Sequence, residues 1–204
     1  MSPRTVLVTA FEPFDGQPVN ASAEGVGALA DAWNGPERLV TVLLPVTFAG
    51  SAAALREAVA EHAPDLVVGV GEAPGRDRVS LERVAVNVVD ARIPDNDGAQ
   101  PVDVPVVDGA PTAHLTGLPV KACVAALGSA GIAAEVSNTA GTYVCNAVFF
   151  TLMDALAATP GVRGGFVHVP RGADGPATAR ALALVVRTSL STEVDVPVPG
   201  GREA

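Results

Sequence analysis

Residues 65–71 read Asp-Leu-Val-Val-Gly-Val-Gly, a short apolar run that ends in glycine. Side chains alternate between the two faces of a strand, so a run that is apolar at successive positions predicts a strand covered on both sides. Such strands lie in the middle of parallel sheets that have helices on both faces. The stretch therefore predicts the central strand of an α/β protein.

Short β-branched runs alternate with longer alanine-rich segments on either side of this strand. The pattern favours strands at 5–10, 39–46, 133–137 and 165–169, and helices at 22–33, 51–62, 120–127, 143–158 and 176–190. This alternation is typical of a mostly parallel, twisted sheet with helices on both faces. The predicted fold class is α/β.

The chain has 204 residues, which fits one large α/β domain. We expect residues 1–194 to form that domain and residues 195–204, with two prolines and two glycines, to form a flexible tail. Residues 93–118 show no sustained hydrophobic periodicity, which predicts a long surface loop. We call this segment the excursion. This excursion and Phe150 are the expected contacts of an oligomer.

Composition excludes several classes of protein. Hydrophobic residues make up 49% of the chain and charged residues 17%, which excludes intrinsic disorder. The net charge is −9 and the basic residues are scattered, so we expect no nucleic-acid partner. There is no long apolar run and no signal-peptide pattern, so we expect no membrane span and a cytoplasmic location. The two cysteines and three histidines lack metal-ligand spacing, which predicts neither a metal site nor a disulfide framework.

Three predicted strand ends have side chains suited to acyl transfer, and in open α/β sheets such ends gather at one edge. Cys145 lies in the first turn of a predicted helix with Thr142 as its N-cap, where the helix terminus is expected to lower the thiol pKa. His168 ends a short strand before a proline and is a candidate general base. Glu82 lies in a segment at 80–92 that we expect to be extended, which would place Glu82 on the same face as the valines at 84, 86 and 88, and it is a candidate partner for that imidazole.

Each candidate also has a structural interpretation. A single cysteine in an α/β domain is most often a small core residue, which is what we expect for Cys123. A lone histidine at a strand end is often structural, and Glu82 beside Arg83 could simply be solvated. The position of Cys145 at a helix start favours chemistry. The glycine string at residues 69–74 lacks the third glycine of a dinucleotide-binding loop, so we expect no such cofactor.

Six motifs follow one another between residues 8 and 170. They are Val-Thr-Ala-Phe-Glu-Pro-Phe-Asp-Gly at 8–16, residues 71–76 followed by Ser-Leu-Glu-Arg-Val-Ala-Val-Asn at 80–87, Asp-Ala-Arg-Ile-Pro-Asp-Asn at 90–96, Thr-Gly-Leu-Pro-Val-Lys at 116–121, Ser-Asn-Thr-Ala-Gly-Thr-Tyr-Val-Cys-Asn at 137–146, and Gly-Gly-Phe-Val-His-Val-Pro at 164–170. In this order they resemble the pyroglutamyl peptidase I family of cysteine peptidases, which remove an N-terminal 5-oxoproline.

The resemblance implies a role for each candidate residue. It implies Cys145 as nucleophile, His168 as general base and acid, and Glu82 as the acid of the triad. It also implies a substrate-binding set made of two aromatic residues around the lactam ring and two polar residues nearby: Phe11, Phe14, Asn20 and Arg92. The implied fold is a three-layer α/β/α sandwich without metal or cofactor, commonly assembled as a tetramer, with a dimer as the other expected oligomer.

The sequence departs from the family pattern at four positions. Ala10 and Asp15 replace glycines, Glu72 replaces a neutral residue, and Pro74 replaces a glycine. Two added carboxylates near the site could weaken lactam binding or attract a cationic terminus. Two other functions therefore stay open at this point: a thiol-dependent amidohydrolase for a different small acyl group, and a catalytically silent protein that binds a small molecule.

Overall fold

The structure, a computed structural model, describes residues 3–201. They form a six-stranded sheet between two layers of helices, with a second sheet of two short strands. In chain order the elements are β1 (Thr5–Phe11), α1 (Ala21–Ala32), β2 (Arg38–Leu44), α2 (Phe48–His62), β3 (Leu66–Ala73), β4 (Val79–Glu82), β5 (Val84–Val86), β6 (Ala113–Leu115), α3 (Val120–Ser129), β7 (Ala134–Ser137), α4 (Val144–Ala157), β8 (Arg163–Pro170) and α5 (Gly175–Ser191). The predicted α/β class is confirmed. Within residues 3–201, no helix is both long and apolar enough to cross a bilayer.

The large sheet is mixed, with the strand order β2-β1-β3-β8-β4-β7. The pairs from β2 to β8 are parallel, whereas β4 is antiparallel to β8 and parallel to β7. Strand β3 has the predicted central position, and its residues 66–72 are all buried. The mostly parallel sheet is therefore confirmed, but its last two strands run in the opposite direction to the other four.

The sheet separates two apolar cores. Helices α1, α3 and α5 cover one face, and α2 and α4 cover the other. In β1, Val6 and Val8 pack in the first core while Leu7 packs in the second. Both faces of the inner strands are thus covered by helices, which is why these strands are apolar throughout.

The extended segment predicted at 80–92 is not one strand. β4 ends at Glu82, and β5 pairs with β6 in the small sheet. The chain passes from the large sheet to the small sheet at Arg83. Its N–H donates to the Ser137 carbonyl on β7 at 2.8 Å, and its carbonyl accepts from the Thr116 N–H, just after β6, at 2.9 Å. The prediction that Glu82 shares a face with the valines after it is therefore wrong. Phe150 is fully buried within the chain, so the predicted oligomer contact at this residue is also wrong.

The described part of the C-terminal tail contacts helix α3. Asp195 accepts hydrogen bonds from the backbone N–H groups of Lys121 at 3.1 Å and Ala122 at 2.9 Å. The N-cap residue of α3, Pro119, provides no side-chain cap of its own. Asp195 therefore caps this helix from a distant part of the chain. The flexibility of residues 195–204 stays a prediction, and residues 202–204 lie outside the described residues.

We expect Asp195→Ala to lower the free energy of unfolding by about 1 kcal/mol, the usual contribution of a lost helix cap. Urea denaturation followed by circular dichroism measures this change. Glu193→Ala is the matched control, since Glu193 is an exposed acid two residues away. Equal stability of the two variants would mean that the tail does not cap α3 in solution.

Candidate active site

Cys145 is the second residue of helix α4. The helix begins at Val144, and its N-cap is Tyr143, which is extended and makes no side-chain cap. The predicted cap, Thr142, instead donates its hydroxyl to the Asp90 carbonyl at 2.9 Å. Because the first N–H groups of a helix have no partner within the helix, the start of α4 presents backbone donors around Cys145.

The Cys145 sulfur lies directly above the backbone of Gly71 in β3. A Cβ atom placed on Gly71 would be 2.8 Å from the Cys145 Sγ, which is closer than real Cβ contacts. Gly71 is paired in register with His168 on β8. Cys145 and His168 also line the same cleft, which has a volume of about 460 Å³. The structure therefore brings these two predicted residues together, and glycine at position 71 provides the space.

Glu82 is the third residue of the candidate catalytic site. Its Oε1 lies 2.7 Å from the His168 Nδ1, and the carboxylate is fully buried. Glu82 pairs with Phe166 in the antiparallel register, so it reaches His168 along the diagonal of the two strands. An ionised Glu82 accepts the Nδ1 proton, which leaves Nε2 as the free basic nitrogen of the imidazole.

Arg76 is a functional residue that sequence reasoning missed. Its guanidinium donates to the Glu82 Oε1 at 2.6 Å and to the Thr139 carbonyl at 2.8 Å. It thereby joins the buried carboxylate to the loop that precedes α4. A signal was present, because a buried carboxylate needs a cationic partner and Arg76 stands in a motif only six residues before Glu82.

The surroundings of the Cys145 thiol favour its protonated form. Burial raises the pKa of the Cys145 thiol to about 12; the Glu82 carboxylate adds to the increase and Arg76 opposes it. The predicted net decrease of this pKa is therefore wrong, although the backbone hydrogen bond to Cys145 at the helix start does act to lower it. Desolvation of a buried thiolate outweighs the partial charge of one helix terminus. In this resting state the sulfur becomes a nucleophile only if a neighbouring base takes its proton.

We expect iodoacetamide to alkylate Cys145 slowly at neutral pH and about tenfold faster for each pH unit up to about pH 10, because only the thiolate reacts. Mass spectrometry of the modified peptide gives the rate at each pH. The thiolate fraction rises with pH below the pKa, so a pKa near 12 places the plateau above this range. A rate that levels off below about pH 10 would contradict this expectation, because an ordinary thiol with a pKa of ~8.5 reaches its plateau at about pH 9.5 and an activated thiol reaches it earlier.

A small aromatic pocket adjoins the Cys145 sulfur. It is lined by Phe11, Phe14, Asn20, Val46, Glu72, Tyr143, Val144 and Cys145, and its free volume of about 20 Å³ has room for about one water molecule. Phe11 is buried against Phe166, and Phe14 faces the ring of Tyr143 at a centroid distance of 6.4 Å. Phe11 and Phe14 therefore line one pocket beside Cys145, and their contact with a lactam ring stays a prediction.

Tyr143 is a second residue that sequence reasoning assigned no role. Its ring borders both the aromatic pocket and the cleft, and it packs edge-on against Phe48 at 5.4 Å. Its hydroxyl donates to the Pro94 carbonyl at 2.9 Å, so the excursion at 93–118 is tied to the start of α4. Its position beside the cysteine in the motif was the available signal.

Asn20 and Arg92 lie in different parts of the site. Asn20 borders the aromatic pocket, but it uses its side chain to cap α1 by accepting from the Ser22 N–H and to donate to the Glu12 carbonyl. Arg92 is exposed and lines the cleft rather than the pocket. The structure thus places only one of the two polar candidates at the aromatic pocket.

The structure also shows where the four residues that depart from the family pattern lie relative to the pocket. Ala10 is buried in the core on the α1 side, and Pro74 is exposed at the rim of the cleft. Asp15 is exposed and adopts a left-handed backbone conformation, with φ of 54°. Glu72 is 6% exposed and borders the aromatic pocket. Only Glu72 places a buried charge against the pocket.

Within residues 3–201, no three His, Cys, Asp or Glu side chains are grouped as metal ligands. Cys145 at a helix start, His168 on a neighbouring strand and Glu82 bonded to it are the features of a cysteine hydrolase. The chain belongs to the pyroglutamyl peptidase family, whose sequence profile matches residues 4–194. The predicted family is confirmed.

Relatives and solved structures agree with this assignment. The chain is 50% identical over 208 residues to the pyrrolidone-carboxylate peptidase of Clavibacter michiganensis, covering 97% of this chain and 98% of the relative. It is 45% identical over 210 residues to that of Escherichia fergusonii, with the same coverage. The crystal structure of pyroglutamyl peptidase I from Bacillus amyloliquefaciens matches with a TM-score of 0.90 and 41% identity, covering 97% of this chain and 100% of that one. Pyrrolidone carboxyl peptidase from Thermococcus litoralis matches with a TM-score of 0.87 and 32% identity, covering 96% and 100%.

Proposed function

We propose that this protein hydrolyses the amide bond that follows an N-terminal pyroglutamyl residue, with Cys145 as nucleophile. The single observation that carries the proposal is the position of the Cys145 sulfur over Gly71, beside the His168–Glu82 pair and against an aromatic pocket. The names of the relatives support the same substrate class. No observation specifically favours either alternative, a thiol-dependent amidohydrolase for another acyl group or a catalytically silent binding protein.

The first half of the reaction forms a thioester. His168 takes the Cys145 proton on Nε2, and the thiolate attacks the carbonyl carbon between pyroglutamate and the next residue. Backbone N–H groups at the start of α4 stabilise the negative oxygen of the tetrahedral intermediate. Arg92 lines the same cleft and is the side chain proposed to assist from the solvent side. The C–N bond then breaks as His168 protonates the departing amine.

The second half restores the enzyme. Water attacks the thioester while His168 accepts one of its protons, and the C–S bond breaks to release pyroglutamate and the Cys145 thiol. The Glu82 carboxylate stabilises the imidazolium that forms in each half. Arg76 holds the Glu82 carboxylate in the orientation that this requires. No metal or cofactor is needed for this sequence of steps.

The aromatic pocket suits a lactam ring. A 5-oxoproline ring is flat and uncharged, and the faces of Phe11, Phe14 and Tyr143 provide apolar contact without requiring a charge partner. The pocket holds little free volume, so we expect the loop at 12–20 between β1 and α1, called the Phe14 loop, to move outward when the ring enters. Peptides with N-terminal pyroglutamate are the proposed substrates.

A panel of fluorogenic aminoacyl amides tests the proposal. We expect rapid release of the fluorophore from the pyroglutamyl amide and little from the prolyl, glutaminyl and alanyl amides. Cleavage of another amide in preference would identify a thiol amidohydrolase of different acyl specificity. Absence of any turnover by correctly folded protein would favour a silent binding protein.

We also propose a homo-oligomer in the cytoplasm. The excursion and its strand β6 expose three large apolar side chains, Val102, Val104 and Leu115, which supports a contact between copies. Both cysteines are free, which suits a reducing compartment. Sedimentation velocity distinguishes monomer, dimer and tetramer, and fractionation of cells tests the compartment.

A further inference from the structure

Glu72 is a buried carboxylate at the wall of the aromatic pocket. Its side chain is 3% exposed and borders both the pocket and the cleft. One oxygen accepts from the backbone N–H of Ala21, the first residue of α1, at 2.8 Å. The other accepts from the Arg171 Nε, also at 2.8 Å. A charge in this position would oppose binding of a neutral lactam unless it is balanced.

Arg171 balances that charge and also contacts the pocket wall. It follows the last residue of β8, and its guanidinium lies 5.9 Å from the centre of the Phe14 ring. The same group lies 3.9 Å from the Asp15 carboxylate on the Phe14 loop. Arg171 therefore contacts both the Glu72 carboxylate and Phe14, one of the aromatic residues that line the pocket. A guanidinium suits both contacts, because it binds carboxylates and stacks on rings.

We propose that Arg171 determines the acyl specificity of this enzyme by neutralising Glu72 and holding Phe14 over the lactam ring. The inference rests on the proposed function and deepens it. Without Arg171, the pocket would keep one uncompensated carboxylate and a looser aromatic wall. Such a pocket would favour a cationic ring, as in an N-terminal proline, whose pyrrolidinium differs from pyroglutamate by the missing 5-oxo group and the added charge.

The charges near the Cys145 sulfur also support a role for the Glu72–Arg171 pair. The Glu72 carboxylate is among the groups that raise the Cys145 pKa, after burial and Glu82. A cation bonded to Glu72 reduces this effect, so removal of Arg171 is expected to make the thiol still harder to ionise. The pair thus influences both the ring-binding pocket and the nucleophile next to it.

The kinetic test compares pyroglutamyl and prolyl amides in four variants. For Arg171→Ala we expect kcat/KM on the pyroglutamyl amide to fall by at least about 30-fold, mostly through KM, and the preference for pyroglutamyl over prolyl to fall by at least about tenfold. Arg171→Lys should lie between wild type and alanine, because it keeps the charge but not the planar group. The double variant Glu72→Gln with Arg171→Ala should recover most of the loss. Arg56→Ala, an exposed arginine on α2, is the control for a lost surface charge.

A second readout does not require peptide cleavage. Neutral 2-pyrrolidone should protect Cys145 of the wild type from iodoacetamide, and pyrrolidinium should not. In Arg171→Ala the order of protection should reverse. Thermal unfolding of each variant separates loss of fold from loss of specificity. If the wild type is protected but does not cleave pyroglutamyl amides, the proposed function fails while the role of Arg171 stands.

Two results would overturn the proposal. One is a folded Arg171→Ala protein with the wild-type preference and the wild-type protection pattern. The other is a double variant that stays as impaired as Arg171→Ala, since charge on Glu72 would then not be the cause.

Discussion

Replacement of Cys145 by alanine is expected to lower kcat on a pyroglutamyl amide by about 10⁵-fold or more, to the level of the background. The sulfur provides the electron pair for the acyl-enzyme, and alanine has none. The only other cysteine, Cys123, is fully buried in the core on the opposite face of the sheet and faces Val185 and Ser189. It has no access to the cleft and cannot replace the lost thiol.

Cys123→Ala is the matched control for this experiment. We expect it to keep its kcat while losing some stability, because it removes a buried sulfur from a packed core. The Cys145→Ala protein should retain its folded circular dichroism spectrum, since the substitution removes one sulfur atom from a residue that lines the cleft. Substantial turnover by Cys145→Ala, measured on protein free of wild-type enzyme, would exclude this residue as the nucleophile.

Glu82→Gln is expected to lower kcat by about 10³–10⁴-fold with little change in KM. The amide has nearly the shape of the carboxylate but no charge. It cannot stabilise the His168 imidazolium, and its NH₂ group can turn toward Nδ1 and favour the wrong tautomer. Steady-state kinetics on the pyroglutamyl amide separate kcat from KM.

The control for Glu82→Gln is Glu135→Gln on the neighbouring strand β7. Glu135 accepts from the Ser80 hydroxyl at 3.1 Å and has no contact with His168 among the described hydrogen bonds. We expect the kcat of the Glu135→Gln variant to remain near that of the wild type. If Glu82→Gln kept activity within about tenfold of wild type, the carboxylate would serve mainly to bind Arg76, and the triad would reduce to a Cys–His pair.

The sequence alone was sufficient to predict the general fold and to select the candidate reactive residues. The apolar run at 65–71 predicted the central strand, because burial on both faces needs apolar side chains at successive positions. Periodicity predicted the helices to within a few residues, since each helix exposes one face to solvent and buries the other. Cys145 was selected for its position at a predicted helix start, and His168 and Glu82 because a polar side chain is uncommon beside apolar strand residues.

Pairing direction could not be predicted from the sequence. Strands β4 and β7 run against β8, so Glu82 meets His168 from the opposite direction and not at a shared strand edge. The loop at 138–143 then brings the chain from β7 to the start of α4. Local periodicity contains no information on whether two strands pair parallel or antiparallel, because side chains alternate in the same way in both.

Charge environment likewise depends on the tertiary structure. Arg76 binds Glu82, Arg171 binds Glu72, and burial raises the Cys145 pKa where the helix terminus alone was expected to lower it. Residue types and their order along the chain determine which groups are available and which segments bury apolar surface. The tertiary structure decides which of these groups meet and how much water surrounds them, because the free energy of a charge depends on partners and solvent that lie far away along the chain.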